Sequence, residues 1–575
     1  MNNFLKYLIS PSARIILIIF GIFLAAALPI RIPYIVVFII NLIIILGILL
    51  ELYNEYITTT FSKKFIFFRS VILLLSFIFL FEAGALLLKT ILSIIEIRLA
   101  STAIRTYLTY FFLLITFISL TSGAQLIKIF NILRSSPALA TISSFSAVIT
   151  IGAMLLTLPI STVSIEKVSF IDSLFISASA TCVTGLTTVD IGTYYTRFGQ
   201  LIILILIQTG GIGIITMALS FPIIMGSQTT LNQVMTIKDI LGVRTVREVL
   251  GVAKAVIFST FIVESIGSVL LFLADDGIED LGLRIFSAIF HSVSSFCNAG
   301  LSIYTKNLEG YSQNHIYITV IMLLILLGGI GYPVMMNIFN LIKDISLFRK
   351  RAHLSFHSKI VLSTTVGLII SGTIIVLLLE WHNVLGNLST GSKIVNSLFM
   401  AITPRTAGFN TLPLDGIRHP TTLIIIILMF IGASPSSTGG GIKTTTFATM
   451  LFSFRALIKN REEVEAFRRT IPISSIYKAL NVAFISLTII CISIFLLSIT
   501  EKDKELVKII FEVFSAFGTV GLSLGITPQL SSLGKIIIVF TMLIGRVGPL
   551  TIAIIFAQKK VSGSYRYPDD HIIIG

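Results

Sequence analysis

The sequence predicts an all-α membrane protein in which four tandem helix–pore loop–helix repeats are arranged pseudo-fourfold around one pore. Composition is the first observation behind this prediction. Of 575 residues, 55% are hydrophobic and 12% are charged, whereas about 25% of the residues of a soluble domain are charged. Apolar runs long enough to cross roughly 30 Å of hydrocarbon recur along the chain. The second observation is a glycine motif that occurs four times.

The four glycine motifs lie between long apolar runs, and their glycines are 115, 108 and 113 residues apart. They read Thr181-Cys-Val-Thr-Gly-Leu186, Phe296-Cys-Asn-Ala-Gly-Leu301, Pro404-Arg-Thr-Ala-Gly-Phe409 and Phe517-Gly-Thr-Val-Gly-Leu522. Glycine accepts a positive φ, which lets consecutive carbonyl groups point at one axis. Rings of backbone carbonyls replace the water around potassium in selective pores. One motif would fit an ordinary turn, but four in the same setting predict an ion pore.

The predicted filter consists of each motif's glycine and the two residues before it, with potassium bound by their backbone oxygens. These residues are Val183, Thr184, Gly185, Asn298, Ala299, Gly300, Thr406, Ala407, Gly408, Thr519, Val520 and Gly521.

The helices around the motifs follow one order: a first helix, a short helix that ends at the motif, and a second helix. First helices are predicted near 138–160, 251–274, 356–381 and 472–499, short ones near 170–180, 281–296, 392–402 and 506–516, and second ones near 198–224, 314–342, 419–457 and 534–558. The loops beside the short helices must be buried or line a watery cavity. The predicted pore repeats are residues 137–250, 251–355, 356–471 and 472–575, the last with a cytoplasmic tail.

Residues 1–136 are predicted to form an N-terminal transmembrane extension. Apolar runs near 14–30, 33–50, 66–90 and 106–127 indicate about four helices. An even number places both Lys6 and Arg134 in the cytoplasm, as the positive-inside rule favours. A signal peptide is the alternative for the first run, but further spans follow it at once.

The net charge of +15 reflects membrane topology more than a nucleic-acid partner, because no soluble basic module is present to bind nucleic acid. Basic residues concentrate in 225–254, 341–360 and 455–469, which the positive-inside rule places in the cytoplasm. We therefore expect a multi-pass protein of the cell (inner) membrane, in contact with the lipid bilayer. Three cysteines imply no disulfide framework. No pattern of a nucleophile with a base suggests an enzyme or an organic cofactor.

Two further stretches complete a family resemblance, Ile431-Gly-Ala-Ser-Pro-Ser-Ser-Thr-Gly-Gly-Gly-Ile-Lys-Thr-Thr-Thr446 and Gly545-Arg-Val-Gly548. With the glycine motifs, they make residues 137–560 resemble the Trk/Ktr/HKT superfamily of potassium transporters, as a TrkH/KtrB-like membrane subunit. The resemblance implies potassium uptake across the plasma membrane through a gated, selective pore, with K⁺ as the transported ion. In that family, glycine at all four filter positions accompanies potassium selectivity. The resemblance also implies a homodimer and a cytoplasmic nucleotide-binding regulatory subunit of TrkA/KtrA type.

The gate is predicted from two polar intrusions into apolar helices. Pro435 and the glycines of 432–446 would by themselves kink a helix, but the resemblance implies a loop below the filter that obstructs the pore and moves. Arg546 costs on the order of 3 kcal/mol at a helix centre, so it should face the bundle interior unless it snorkels. We expect the two to act as one gate. The predicted gate residues are Gly432, Ser434, Ser436, Ser437, Thr438, Gly439, Gly440, Gly441, Lys443 and Arg546.

A second function fits the same repeats: the potassium-binding pore subunit of an ATP-driven potassium pump. That class requires a separate ATPase, so a neighbouring gene for one would favour it. The polar stretch 432–446 and Arg546 favour the gated transporter. A membrane scaffold would leave the four glycine motifs without a role. Four leading helices depart from the family, whose members often have none or two before the core.

Overall fold

The computed structural model describes residues 137–158, 160–163, 169–224, 246–275, 277–346, 353–549 and 551. By internal contacts the chain divides into two compact units, Met1–Ser135 with Thr157–Lys167, and Ser136–Leu156 with Val168–Gly575. The fold and the site described below belong to the second unit. The predicted helices of 1–136 and the tail from 552 onward lie outside the described residues, as do parts of the basic loops at 225–245 and 347–352.

A long helix, a short helix, a loop and a second helical segment follow one another four times in the described residues. The first set is α1 (Pro137–Leu156), α2 (Phe170–Thr181), a single turn α3 (Ile191–Tyr194) and α4 (Arg197–Ile224); the second is α5 (Val246–Ala274), α6 (Leu281–Phe296), α7 (His315–Ile330) and α8 (Tyr332–Ser346). The third is α9 (Phe356–Glu380), α10 (Thr390–Ile402), α11 (His419–Phe430) and α12 (Thr444–Ile458); the fourth is α13 (Ile473–Thr500), α14 (Leu506–Gly518) and α15 (Ser532–Val547).

The outer faces of several long helices are apolar, as in helices that contact lipid. Among the described residues, the apolar part of α5 at Val256–Ala274, all of α9 and all of α13 are long and apolar enough to cross a membrane. The pair α7 and α8 would add a fourth span, bent by 105°. Phe258, Leu378 and Phe484 leave more than 70% of their surface exposed. Because such exposure is costly in water, these faces fit a hydrocarbon surrounding.

The short helices pack closely against the long ones through small residues. On α2 the Ser177 hydroxyl donates to the Ile149 carbonyl of α1 (2.7 Å), and on α6 the Ser292 hydroxyl donates to the Glu264 carbonyl of α5 (2.7 Å). Opposite each serine the long helix has a glycine, where a Cβ would collide with the hydroxyl or come within 2.5 Å of it. Small residues at membrane interfaces let backbones approach in this way. The short helices are thereby held inside the bundle.

The predicted continuous helix at 314–342 is wrong. The helix breaks at Gly331, whose φ is +91°, and α8 starts in a new direction. The carbonyl oxygens of Gly328 and Gly329 accept hydrogen bonds from the amides of Thr438 (3.3 Å) and Ser434 (3.1 Å), which lie between α11 and α12. A distant segment thus takes the hydrogen bonds that a continuing helix would have made. The predicted helix at 534–558 is likewise interrupted at Gly548, whose φ is +95°, and Pro549 and Thr551 beyond it are helical again.

A small β-hairpin between α12 and α13 was not predicted. Strands β1 (Glu465–Ala466) and β2 (Arg469–Thr470) pair antiparallel, with Ala466 opposite Arg469. Phe467 and Arg468 form its turn, both with positive φ. The signal for a hairpin was weak, because two-residue strands show no alternation of polar and apolar residues.

Candidate ion pathway

Each short helix delivers its C-terminal end to a glycine motif. Helices α2, α6, α10 and α14 end three to six residues before the motif glycine, at Thr181, Phe296, Ile402 and Gly518. The C-terminal end of a helix carries partial negative charge. Eleven of the twelve residues predicted as filter are buried, and Gly521 is half-buried. The side chains of Val183, Thr184, Asn298, Ala299, Thr406, Ala407, Thr519 and Val520 are 0% exposed. Four negative helix ends therefore point to buried backbone loops.

The four loops share one backbone conformation. Each glycine has a positive φ, between +66° and +98°, and so does the residue two positions before it. Those earlier residues are Val183 (+56°), Asn298 (+59°), Thr406 (+71°) and Thr519 (+49°). Non-glycine residues with positive φ are uncommon, so four at equivalent positions mark a conformation that the surroundings impose. The residue between has no positive φ, and the sign of φ thus alternates along each loop.

The four motif glycines meet in a closed ring, named here the glycine ring. A Cβ added to any of them would strike the carbonyl oxygen just before the glycine of the next motif along the chain, and the fourth glycine faces the first motif. The pairs are Gly185 with Ala299 (2.6 Å), Gly300 with Ala407 (2.5 Å), Gly408 with Val520, and Gly521 with Thr184. Only glycine allows this approach, because any side chain would push the neighbouring carbonyl away. The order around the ring follows the order along the chain.

The amides of the loops are tied back to the short helices. In the first, second and fourth loops the amide before the glycine donates to the carbonyl of the serine six residues before the glycine, at 2.7–2.8 Å. The hydroxyls of two of these serines, Ser179 and Ser515, also accept from the amides of Gly185 and Gly521 (3.0 Å each). These serines were missed in the sequence, although their spacing to the glycine was the available signal. With amides satisfied behind the loops, the carbonyl oxygens before the glycines remain at the ring.

The segment 431–443, which joins α11 and α12, lies against three of the motif regions. The Thr438 hydroxyl donates to the Phe296 carbonyl at the end of α6 (3.2 Å), and the Gly440 amide donates to the Thr519 hydroxyl (3.0 Å). A Cβ on Gly439 would strike the Thr406 hydroxyl. The predicted gate residues between Gly432 and Lys443 therefore sit directly beside the filter residues.

Internal hydrogen bonds give the segment 431–443 its compact shape. The Ser437 hydroxyl donates to the Ser434 carbonyl (2.6 Å), and the Thr444 hydroxyl donates to Ser434 Oγ (3.1 Å). Lys443 turns its ammonium to the Gly439 carbonyl (2.7 Å). Ser436 and Gly441 take positive φ, which lets the chain reverse twice. The segment is thus closed on itself by its own side chains.

Arg546 joins three parts of the bundle. Its side chain is 2% exposed, so it lies inside the protein and does not snorkel to a membrane surface. The guanidinium donates to the Thr438 carbonyl in segment 431–443 and to the Gly210 carbonyl of α4. In the corresponding glycine pairs of α4 and α7, Gly211 and Gly329 stand where α15 has Arg546. The fourth repeat thus has a buried arginine at a position where the first two repeats have glycine.

The first glycine of each pair packs against the end of a short helix. A Cβ on Gly210, Gly328 or Gly545 would strike the carbonyl oxygen of Thr181, Phe296 or Phe517, respectively. Close packing of helices therefore accounts for these glycines, since small residues at membrane interfaces let backbones approach. Arg405, beside the filter residue Thr406, turns to α9 and donates to the Thr365 hydroxyl (3.3 Å).

Outside the spanning helices, the loop after α6 contacts the loop after α10. The Asn410 side-chain amide donates to a Glu309 carboxylate oxygen (2.9 Å), and the Leu308 amide donates to the Asn410 carbonyl (3.1 Å). Partial burial raises the pKa of the Glu309 carboxyl, against the opposing effect of the Asn410 hydrogen bond. In the described part of the chain, no group of three or more His, Cys, Asp or Glu residues is placed to hold a metal ion. A cation at the ring would meet backbone oxygens.

Apolar spanning helices around four backbone loops that meet at the glycine ring define a helical membrane protein with a candidate ion pathway. The chain belongs to the TrkH family of cation transport proteins, whose sequence model matches residues 107–566. The family is one of transporters, which bears out the expectation that the chain is not an enzyme.

Individual relatives of the chain agree with the family assignment. The chain is 40% identical over 450 residues to Ktr system potassium uptake protein B of Bacillus subtilis, a match that covers 78% of this chain and 99% of that protein. It is 35% identical over 455 residues to the potassium/sodium uptake protein NtpJ of Enterococcus hirae, covering 77% and 98%. The fold is similar to the crystal structure of the potassium transporter TrkH from Vibrio parahaemolyticus, with a TM-score of 0.58 at 16% identity, covering 91% of this chain and 97% of that one.

Proposed function

We propose that the chain takes up potassium across the cell membrane through the glycine ring, as the ion-translocating subunit of a Trk/Ktr-type system. The closed ring of four motif glycines carries this proposal, since each glycine lies against a backbone carbonyl of the next loop. Similarity to a Ktr system potassium uptake protein over most of both chains supports potassium as the ion. We place the four pore repeats at residues 137–250, 251–355, 356–471 and 472–575, pseudo-fourfold around this ring.

The ring selects by replacing water with fixed oxygens. Because the sign of φ alternates along each loop, successive peptide planes turn so that their carbonyls face the same side. A potassium ion entering the ring exchanges its hydration shell for the carbonyl oxygens of Thr184, Ala299, Ala407 and Val520. The negative ends of the four short helices stabilise the dehydrated cation. Hydrogen bonds to the short helices hold the loops at the spacing that this exchange needs.

The gate consists of segment 431–443 and Arg546. The segment lies against the second, third and fourth motif regions. Arg546 of the fourth repeat hydrogen-bonds both to the segment and to α4 of the first repeat. A buried positive charge beside the path opposes a passing cation, since charges interact strongly where water is excluded. Opening then requires the Arg546–Thr438 hydrogen bond to break and the segment to shift away from the path.

The protein works as a homodimer in the cell (inner) membrane, on a cytoplasmic nucleotide-binding subunit of TrkA/KtrA type. The name of the Bacillus relative, a Ktr system protein, supports a system with more than one component. The basic residues of 455–469, from the last turn of α12 to the β-hairpin, offer a charged surface to such a subunit on the cytoplasmic side.

Ion-replacement uptake into vesicles tests the function. We expect potassium and rubidium to enter well ahead of sodium, because the ring's oxygens are set for the larger ions. Gly408→Ala should lower the potassium-to-sodium ratio about tenfold, a change of about 1.4 kcal/mol, because its Cβ would strike the Val520 carbonyl. Gly310→Ala is the control, since a Cβ there meets nothing within 4 Å. Equal entry of sodium and potassium through the unmodified protein would refute potassium uptake as the function.

Arg546→Ala should raise the rate of potassium uptake by about tenfold, because it removes a charge from the path and the bond that holds segment 431–443. Deleting residues 436–440 should have a similar effect. Arg546→Lys keeps the charge and should stay near the original rate. The measurement is initial rubidium flux into vesicles with equal protein content. Unchanged rates in both the alanine variant and the deletion would rule out the gate.

Nucleotide on the cytoplasmic subunit should change potassium flux through this chain. The test reconstitutes both proteins in one vesicle and compares the flux with adenine nucleotides and without them. Vesicles that hold this chain alone are the control and should show no response. A flux that is indifferent to nucleotide when both proteins are present would contradict the proposed partner.

A further inference from the structure

Among the described residues, two of the four pore repeats carry a polar tether, a bond between a side chain before the filter loop and a side chain after it. In the third repeat the Thr403 hydroxyl reaches only a backbone oxygen, the Phe409 carbonyl (2.5 Å). His291 on α6 and Glu512 on α14 each stand nine residues before the motif glycine. The His291 ring, through Nε2, contacts the Ser302 hydroxyl (2.9 Å), and a Glu512 carboxylate oxygen accepts from the Ser523 hydroxyl (2.7 Å). Both serines stand two residues after the glycine. A side chain before each filter loop is thus bonded to a side chain after it.

The serines are themselves held in equivalent turns. Ser302 Oγ accepts from the amide of Tyr304 (3.0 Å), and Ser523 Oγ accepts from the amide of Gly525 (3.1 Å), in each case two residues further along. Unlike side chains, a histidine and a glutamate, therefore reach the same turn from the same helical position. Because two different side chains make the equivalent bond in two repeats, we infer that the bond itself has a role at this site.

The histidine tether has a defined proton arrangement. His291 Nδ1 lies 2.9 Å from the Ser287 carbonyl, which can only accept, so Nδ1 carries the proton. Nε2 of the neutral ring then accepts from the Ser302 hydroxyl, while Ser302 Oγ accepts from Tyr304. The ring also stacks on Tyr304, with centroids 4.3 Å apart and planes 18° from parallel. Each polar atom of the tether is satisfied.

The glutamate tether is doubled. A second Glu512 oxygen accepts from the Thr527 hydroxyl (2.5 Å), and that hydroxyl lies 2.9 Å from Ser523 Oγ. Glu512 and His291 are both 0% exposed. A buried polar group is costly to leave without its partner, so these bonds resist opening.

The first and third repeats are built differently at the same positions. Nine residues before their glycines stand Ile176 and Phe399, both apolar and 0% exposed. Two residues after the third glycine, Asn410 bonds to Glu309 in the neighbouring loop and not to its own short helix. Since the ring runs in chain order, the second and fourth repeats face each other across the axis. The tethers therefore lie on opposite sides of the path.

We propose that His291 and Glu512 are positioning residues for ion selection, acting through Ser302 and Ser523 to fix the outer ends of two opposed filter loops. This inference rests on the proposed function, because it concerns the glycine ring as the selective element. A ring held on two opposite sides keeps its width along that line, whereas loops free to spread would accept an ion of another size. Sites of this kind need their groups held within about 0.5 Å.

The test removes one hydroxyl at a time and measures the potassium-to-sodium uptake ratio in vesicles. Ser302→Ala and Ser523→Ala should each lower the ratio about threefold or more, and the double variant should lower it further. Ser302→Thr and Ser523→Thr keep the hydroxyl and should restore most of the ratio. Ser486→Ala is the control, because Ser486 is fully buried and its hydroxyl bonds within α13, to the Val482 carbonyl.

The outcomes separate this inference from the proposed function. A wild-type protein that fails to discriminate potassium from sodium refutes the function itself. A discriminating wild type whose two single variants keep its ratio overturns the tethers, even if the double variant does not fold. A loss of uptake in equal proportion for both ions also overturns them, because it would show a structural role without effect on selection.

Discussion

The close approach of four backbone loops is the constraint on which the rest of the structure depends. Each motif glycine lies where a single added carbon would strike the carbonyl of the next loop. No such meeting is stable in hydrocarbon unless every amide behind the loops finds a partner. The short helices, their serines and the small residues that hold them against α1 and α5 supply those partners and that proximity.

The backbone of the ring is nearly fourfold, but its surroundings are not. The third repeat inserts segment 431–443, the fourth contributes Arg546, and the second bends at Gly331 to give its carbonyls to that segment. All three departures meet at segment 431–443, beside the predicted filter residues. The tethers at His291 and Glu512 are a further departure, on the other end of the loops. A single chain allows this division, because each repeat can change without altering the other three.

The repeated helices and glycine motifs could be predicted from the sequence, whereas the hydrogen-bond partners of individual residues could not. The spacing of Gly185, Gly300, Gly408 and Gly521 and the apolar runs were enough to predict the long and short helices of the described residues to within a few positions. The break at Gly331 escaped prediction because its cause is a set of amides about a hundred residues away. The partners of Arg546, Thr438 and Gly210, escaped for the same reason. A burial cost shows that a polar side chain needs a partner, but only the fold shows which one.

Anomalous scattering from rubidium tests the central claim most directly. Crystals of the protein grown in a rubidium salt should show a peak at the centre of the glycine ring, enclosed by the carbonyl oxygens of Thr184, Ala299, Ala407 and Val520. Exchange of rubidium for sodium should remove it. Rubidium bound elsewhere with no peak at the ring, or loops that stand apart in the crystal, would contradict the account.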